Sequence, residues 1–551
     1  MVSSLLKNGK KIIYQEHTTI LSGALIIGCL MLLSKILGLV KVRLYAGILG
    51  AGATYDIFVA ADRIPDLMYQ LIIVGSLNAA FIPLFTEYIS KKGSGHAWSF
   101  TSSVINWTIL AFSILGGIIW ILAEPASYLV AAGFDSAQRG ELVTLMRILL
   151  IAPVILGVSS YVAGTLQSFK RFFIPFLSPL LYNLGAIFGL IVLYPVMGIT
   201  GLAWGVVFGV ILHLAIQLPL LIHLGFAYRF TLDAGEEVQR LLRLSLPRTL
   251  GVGVEQLKAV IITNFASLLS VGSISILRFA ESIYLVPLHI VGVAIAQASF
   301  PTMSEQAAKK NHGHLKETIM ASWHQILFLI VPLTVILVVL KIPVVRLVLG
   351  AGIFDWEATV VTSWVMALLG LGLAANASNA LIIRAFCSLC ETKLPVLISV
   401  LGGLVSILIA ATFMAPYGVR GLAFGITVGS ILEFVLLLWL LDVRLKFDKR
   451  KLFMPVINIG IAGILMAVMI YVPVRFLDQV FLDTSRVVNL LILVWLVLTT
   501  GGVTYLISTW ILGVEQITMF FKILWKVRDI REAISSAKHV SLAQQPPLLE
   551  D

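Results

Sequence analysis

Lys35, Lys41, Arg43, Asp56, Asp62, Arg63, Asp66, Glu255, Lys258, Arg278 and Glu281 sit inside or beside stretches that are otherwise apolar enough to lie in lipid. An ion in hydrocarbon costs on the order of 3 kcal/mol or more, so each needs a partner, a water-filled cavity or a ligand. Glu255 and Lys258, and likewise Arg278 and Glu281, are three residues apart and can neutralise one another on a helix. The stretch holding Lys35, Lys41 and Arg43 has no acid of its own. Lys41 and Arg43 lie toward its outer end, where long side chains snorkel and Asp56 can pair with either. Lys35 is about 17 residues deep and requires a cavity or a counterion such as Asp62 or Asp66. Such a set points to an anion-attracting cavity with lining cations Lys35, Lys41, Arg43, Arg63 and Arg278. Asp56, Asp62, Glu255 and Glu281 are its carboxylates or ion-pair partners. Arg147 and Arg384 either add to the lining or lie near an interface.

Other chemistry has weaker support. No Walker loop is present to hold a nucleotide, so ATP hydrolysis is not expected. Cys29, Cys387 and Cys390 lie in or beside apolar stretches, and one Cys-x-x-Cys without a second pair does not make a metal site. His213, His223 and His289 lie on apolar helices, where packed, neutral, hydrogen-bonded rings are the ordinary outcome and a proton relay the alternative. No catalytic residue, metal or cofactor is expected. Coupling of any movement to the membrane potential or to a monovalent cation is left open, because no carboxylate cluster stands out near residues 394–445.

The elements that position these charges follow from composition. Of 551 residues, 59% are hydrophobic and only 12% charged, with mean hydropathy +1.00. No aqueous core buries that much apolar side chain. Stretches of about 20 apolar residues, each able to cross roughly 30 Å of hydrocarbon, recur from end to end. The expected fold is an all-α polytopic membrane protein of about fourteen helices, at 18–47, 55–90, 97–131, 138–168, 174–196, 199–227, 238–270, 273–306, 315–350, 356–388, 394–416, 418–445, 452–474 and 486–513.

These helices fall into two sets. Gly198-Ile-Thr-Gly-Leu-Ala-Trp-Gly-Val-Val-Phe-Gly209 returns in the second half of the chain as Gly418-Val-Arg-Gly-Leu-Ala-Phe-Gly-Ile-Thr-Val-Gly429. The same offset pairs Gly52 with Gly272, Ala60 with Ala280, Phe134-Asp135 with Phe354-Asp355, and Pro175 with Pro395. Stretches holding one register mark a tandem duplication. Two six-helix lobes are expected, at 18–230 and 238–446, with two additional transmembrane helices at 452–513. Lys35 and Glu255 fall at equivalent places with opposite charge, so the scaffold repeats while its electrostatics do not.

Alternate loops carry the excess Lys and Arg, among them Lys91-Lys92, Lys170-Arg171, Lys309-Lys310 and Arg444 to Lys451. Cytoplasmic loops hold such excess, so both termini are expected in the cytoplasm. Anionic lipid headgroups then explain the net charge of +11 without nucleic acid. Residues 1–17 read as a cytoplasmic leader and 514–551 as an amphipathic, then disordered, cytoplasmic tail.

Ser34-Lys-Ile-Leu-Gly-Leu-Val-Lys41, Gly50-Ala-Gly-Ala-Thr-Tyr-Asp56, Phe58-Val-Ala-Ala-Asp-Arg-Ile-Pro65 and Phe81-Ile-Pro-Leu-Phe-Thr-Glu-Tyr88 resemble the opening of the MurJ/MviN family. Arg171-Phe-Phe-Ile-Pro175 with Asn183, and Thr392-Lys-Leu-Pro395, extend the resemblance over about residues 18–510. It implies a fourteen-helix transporter of the multidrug/oligosaccharidyl-lipid/polysaccharide exporter superfamily. The implied activity is the movement of lipid II, the undecaprenyl-pyrophosphate-linked peptidoglycan precursor, from the inner to the outer leaflet of the bacterial cytoplasmic membrane. A pyrophosphate carrying a sugar-peptide headgroup cannot cross hydrocarbon alone, whereas a hydrated cationic cavity can carry it by alternating access. Implied partners are this lipid-linked precursor, membrane lipids and the cell-wall synthesis machinery.

The resemblance transfers only partly at the site. The family has Arg at Lys35 and an Arg followed by an acid at Lys41-Val42, so charge is kept but bidentate phosphate gripping is lost. Its Arg pair falls on Tyr69-Gln70 and a nearby Glu on Val74. Its Ala-Asp-Arg becomes Ala280-Glu281-Ser282, with Arg278 one turn earlier as a candidate substitute. Two alternatives therefore stand beside lipid II transport: a flippase for another lipid-linked oligosaccharide, and a cation-coupled small-molecule antiporter, which would want a net acidic cavity.

Overall fold

Runs of Leu, Ile, Val and Phe without regular alternation fold as helices throughout the described residues, and no strand occurs among them. The computed structural model describes residues 20–74, 80–233, 235–480 and 487–518. The expected leader at 1–17, and the amphipathic helix and disordered end expected in the tail, lie outside them.

In the first half the helices are α1 (Ile20–Leu49), α2 (Ala53–Tyr69), α3 (Ile82–Lys92), α4 (Ser94–Ile121), α5 (Ala123–Val130) and α6 (Ser136–Leu149). They continue with α7 (Ile151–Ser168), α8 (Phe173–Phe188), α9 (Tyr194–Met197), α10 (Ile199–Ala215) and α11 (Leu218–His223). The second half holds α12 (Glu236–Ser267), α13 (Ser273–Pro287), α14 (Ala294–Ala308), α15 (His312–Val339), α16 (Lys341–Leu349) and α17 (Trp356–Leu371). It ends with α18 (Leu373–Ser388), α19 (Lys393–Tyr417), α20 (Val419–Leu445), α21 (Lys449–Val480) and α22 (Val487–Ile511).

Among the described residues ten helical stretches are long and apolar enough to cross a membrane, or eleven if α17 and α18, bent by 41°, form one span. The chain is a multi-pass membrane protein. Helices α1, α2 and α12 are not among the ten, and they are the ones interrupted by Lys35, Lys41, Arg43, Asp56, Asp62, Arg63, Asp66, Glu255 and Lys258. Ile121, Val196, Ile222, Trp439, Ile464 and Trp510 are exposed on the surface, an arrangement suited to lipid and not to water.

Several expected spans are broken. The 55–90 stretch passes from α2, which contains Pro65, into a π-helical turn at Gln70–Val74, and the 273–306 stretch passes from Pro287 into one at Leu288–Val293. A proline forfeits a backbone hydrogen bond, and a wider turn absorbs the misfit. The 97–131 and 315–350 stretches, expected as single spans, are divided: short helices α5 and α16 follow the long ones after a break at Leu122 and Leu340.

Residues that the repeat offset pairs adopt matching local geometry. Gly198 and Gly418 take φ of 63° and 57°, and Lys170 and Cys390 take 57° and 61°. Asp135 caps α6 by accepting from the Gln138 N–H at 2.9 Å, and Asp355 caps α17 by accepting from the Ala358 N–H at 2.8 Å. The repeated glycine motif gives close helix approach. A Cβ on Gly205 would lie 2.3 Å from the Cα of Gly189, and one on Gly425 would lie 2.5 Å from the backbone nitrogen of Ala410. Small residues every fourth position let α10 meet the α8 segment, and α20 meet α19, backbone to backbone.

Candidate functional site

Six of the charged side chains set in apolar stretches meet in one cavity between the halves. It encloses about 340 Å³ and is lined by Lys35, Lys41, Asp62, Arg63 and Asp66 from α1 and α2, Tyr182 and Asn183 from α8, and Arg278, Ser282 and His289 from the second half. Lys41, expected as a lining cation with snorkelling as the alternative, points into this space with its ammonium 5.3 Å from the centre of the Tyr182 ring. Lys35 also lines it, and no ion pair within 4.0 Å is found for it among the described residues. Arg63 and Arg278 approach from opposite halves and share one carboxylate, Glu281, at 3.7 and 3.8 Å. Glu281 is not itself a lining residue: it holds the two guanidiniums from behind. The Arg63 Nε is buried without a hydrogen-bond partner, an orphaned donor in the wall of the cavity. His289, expected as a packed ring, lines the cavity as well.

Other expected site residues lie elsewhere. Arg43 is not in the cavity: its guanidinium donates to the carbonyls of Leu347 at 2.6 Å and Gly350 at 3.1 Å. Those carbonyls end α16, and a helix C-terminus leaves such acceptors unpaired and carries partial negative charge. Asp56 pairs with neither Lys41 nor Arg43. It is buried and accepts from the N–H groups of Gly272 (2.6 Å) and Ser275 (2.7 Å) and from the Ser275 hydroxyl (2.5 Å), capping α13 of the other half. Glu255 binds Lys258 at 2.7 Å and does not line the cavity. Arg147 donates to the Trp120 carbonyl at 3.2 Å and stacks 4.7 Å from its ring, away from the cavity. Arg384 does not line it either, and donates to Ala380 within its own helix at 2.7 Å.

Arg43 and Asp56 belong to a latch at the end of the molecule opposite the Lys- and Arg-rich loops. The latch has two related arms. Arg43 near the end of α1 binds the carbonyls around α16, and Asn264 near the end of α12 donates to the carbonyls of Tyr128 (2.7 Å) and Leu129 (3.1 Å) in α5. The Ile353 N–H donates to Gly47 at 3.0 Å, and the Gly133 N–H donates to the Ser267 hydroxyl at 3.1 Å. Beneath it an aromatic plug roofs the cavity. Tyr45 and Tyr55 stack at 5.4 Å, Tyr55 and Phe279 at 4.7 Å, and Phe279 meets Phe354 edge-on at 5.6 Å.

At the basic end α12 crosses the first half. Thr249 donates to Leu71 at 3.3 Å, Arg240 meets Glu87 at 3.2 Å, and Glu237 meets Lys92 at 3.1 Å and His96 at 3.4 Å. Its own backbone N–H and then the Lys92 ammonium hold the Glu237 carboxyl below the usual range. These contacts join the two halves at both ends of the molecule. A volume near 340 Å³ is at the low end of the roughly 300–1,000 Å³ that holds drug-sized ligands, so it fits a diphosphate-sized group and a larger headgroup needs the halves to part.

Sequence reasoning missed Asn264 and Glu433. Glu433 is buried on α20 and accepts from the Ser399 hydroxyl at 2.6 Å. The repeat register was the available signal, because the offset that sets Gly209 on Gly429 also sets His213 on Glu433.

A polytopic helical bundle whose two halves close around a charged internal cavity is the architecture of an alternating-access type transporter. Residues 45–519 match the family model described as "Lipid II flippase MurJ", and the chain belongs to that family. Similar proteins include the "Probable lipid II flippase MurJ" of Buchnera aphidicola subsp. Acyrthosiphon pisum, 28% identical over 507 residues, covering 90% of this chain and 98% of the relative. The "Lipid II flippase MurJ" of Burkholderia cenocepacia is 27% identical over 437 residues, covering 77% and 83%. Among solved structures, "Lipid II flippase MurJ, inward closed conformation" is similar with TM-score 0.73 and 23% identity over 91% of this chain and 99% of that one. A multidrug resistance MATE family transporter of the MOP superfamily, inward-facing, is similar with TM-score 0.63 and 16% identity over 77% and 98%.

Proposed function

We propose that this protein is a lipid II flippase that carries the pyrophosphate-linked headgroup from the inner to the outer leaflet of the bacterial inner membrane by alternating access. The observation that carries the reading is the cavity of Lys35, Lys41, Arg63 and Arg278 between the two halves, in a chain of the lipid II flippase family. Matching geometry at equivalent positions of the two copies supports two six-helix lobes. With α1, α2–α3 and α12 counted as spans whose charges face the cavity or the other lobe, the total is fourteen. The basic loops then face the cytoplasm.

In the closed state the latch of Arg43, Asp56 and Asn264 and the aromatic plug seal the outer side. Separation of the lobes at α12 admits the headgroup from inside, while the polyprenyl tail remains in lipid. The pyrophosphate displaces water from Lys35 and Lys41 and competes with Glu281 for Arg63 and Arg278, because a diphosphate offers those guanidiniums more acceptors than one carboxylate. No covalent chemistry is needed. Energy input comes from the membrane potential or a monovalent cation, and cell-wall synthesis enzymes are the consumers on the outer side.

A second reading, transport of another lipid-linked oligosaccharide, is favoured by Tyr69, Gln70 and Ser282, where the family's arginines are absent and the side chains are committed otherwise. Tyr69 shares a hydrogen bond with Ser160 at 3.0 Å, and Gln70 donates to Asp66 at 3.2 Å. The test is replacement of a host's own flippase. Restored outer-leaflet lipid II and survival support lipid II transport; lysis despite correct membrane insertion sinks it and leaves the second reading.

A further inference from the structure

Two titratable side chains buried in the lobe interiors are repeat mates. His213 lies on α10 and Glu433 on α20, at equivalent places in the two copies. Each sits at a junction of three helices away from the cavity. In the first lobe the ring is fully hydrogen-bonded: His213 bonds the Ser159 hydroxyl at 2.6 Å and the Ser178 hydroxyl at 3.1 Å, and Gln217 donates to Ser159 at 2.8 Å. Both ring nitrogens are thereby occupied.

The second lobe is different. Glu433 is 7% exposed and accepts from the Ser399 hydroxyl of α19. Gly402, three residues on from Ser399, leaves room for its side chain, since a Cβ there would lie 2.9 Å from the Glu433 Cβ. Asn379 of α18, the mate of Ser159, donates to the Ser430 carbonyl one turn before Glu433 at 3.3 Å. Its Oδ1 is buried with no partner. The cation of α18, Arg384, donates to Ala380 within that helix. Of the remaining neighbours of α20, α17 carries only Glu357, near its outer end, α19 only Lys393, at its start, and α13 only Arg278 and Glu281, at the cavity. The remaining neighbour, α12, brings Glu255 and Lys258, which pair with one another at 2.7 Å.

A carboxylate in such a place is expensive while ionised and much less so while protonated. We propose that Glu433 is a proton-binding site of the second lobe and that its charge is linked to the cavity through Lys258. Lys258 pairs with Glu255 at 2.7 Å on α12, a helix that packs against both α20, which carries Glu433, and α13, which carries Glu281, and Glu281 is the carboxylate that holds Arg63 and Arg278. When Glu433 takes a proton, Lys258 turns its attraction to Glu255 and Glu281. Glu281 then holds the two arginines less firmly, and they are freer to meet an anion. By linkage, an anion in the cavity must favour protonation of Glu433. The proton site stands on the lobe core alone; what it is linked to rests on the anion cavity of the proposed function.

Infrared difference spectroscopy of the purified full-length protein in lipid tests this by following the carboxylic-acid carbonyl stretch through a pH titration. Wild type is compared with Glu433→Gln, each with and without inorganic pyrophosphate. The variant keeps the volume and an acceptor for Ser399, and thermal unfolding checks that it is folded. The expected result is a pH-dependent band present in wild type and lost in the variant, with its midpoint moved to higher pH by pyrophosphate. Identical titrations in the two proteins overturn the proton site. A band that is lost in the variant but does not respond to pyrophosphate keeps the proton site and overturns its link to the cavity.

Discussion

Replacing Asp56 with alanine should open the outer side of the protein. The carboxylate accepts three hydrogen bonds, from the Gly272 and Ser275 amides and the Ser275 hydroxyl, across the lobe boundary. Bonds to a charged group contribute about 1.5–3 kcal/mol each when counted singly, and loss of a helix N-cap costs about 0.5–2 kcal/mol. The three share one acceptor and water replaces part of them once the lobes part, so their sum overstates the effect. A net loss of about 2–3 kcal/mol in the closed state is reasonable, or roughly 30–150-fold in the closed-to-open ratio. If the open state starts at about 0.1–1%, it rises to between roughly 3% and 60%.

The assay is a distance measurement by electron spin resonance between labels on Ala132 and Leu268. Both are exposed, and they flank the contact from Gly133 to Ser267. Serine replaces Cys29, Cys387 and Cys390 in this background. Wild type should give one short distance, Asp56→Ala a second, longer population, and Asp56→Asn, which keeps an acceptor, an intermediate share. An alanine variant with the wild-type distribution would refute the view that this cap holds the outer side shut, and would leave Arg43 and Asn264 as the effective latch.

Lys35→Ala should abolish transport without unfolding the protein, and Lys35→Arg should restore most of it; full transport by the alanine variant in proteoliposomes removes the cationic-cavity mechanism. Glu281→Gln frees Arg63 and Arg278, so inorganic pyrophosphate should bind about tenfold tighter, near 1.4 kcal/mol by calorimetry, while turnover falls; weaker binding would mean Glu281 acts mainly to orient the pair. Gly205→Val should destabilise the first lobe by about 1–3 kcal/mol through overpacking, whereas Gly460→Ala, with nothing within 4 Å, should be neutral; thermal unfolding compares them. At the basic end, Glu237 and Glu87 have carboxyls held below the usual range, by the Glu237 backbone N–H and Lys92 and by Lys91 respectively. Their contribution is complete above the ordinary carboxylate pKa and is lost as pH falls through the lowered value. Protection of the amides at the start of α12, corrected for the intrinsic pH dependence of exchange, should therefore fall in acid, and unchanged protection would argue that these ion pairs do not hold it.

What could be read from residue order alone follows from the kind of information each feature carries. Helices in lipid satisfy their backbone locally, so apolar length locates the spans. The sequence repeat is visible because both stretches keep the glycines that let α8 meet α10 and α19 meet α20. Charge in a span announces a need for a partner without naming one. Arg43 resolves on carbonyls 304 and 307 residues away, and Asp56 on amides 216 and 219 residues away. Backbone acceptors and donors have no residue type, so no pattern of side chains could point to them. Held by such acceptors, Arg43 is not among the residues that line the cavity, while Lys35, Lys41, Arg63 and Arg278 are.

The same reasoning explains how the two lobes divide the work. With six helices per copy the two lobes share one orientation, so the symmetry relating them leaves the inner and outer ends distinct, and a division of work between the lobes must come from residues that break that symmetry. The outer latch nearly keeps it, with Arg43 and Asn264 each holding the carbonyls of a short helix in the other lobe. The cap breaks it, since Asp56 serves α13. The lobe interiors break it again: a hydrogen-bonded histidine in the first and an ionisable Glu433 in the second. A group that changes charge at one repeat position but not at its mate confines the pH response to one lobe. A double variant, His213→Gln with Glu433→Gln, should therefore have the pH response of Glu433→Gln alone. If restoring Glu433 in the His213→Gln background fails to restore pH dependence, the histidine takes part, and the division between a structural first lobe and a responsive second lobe does not hold.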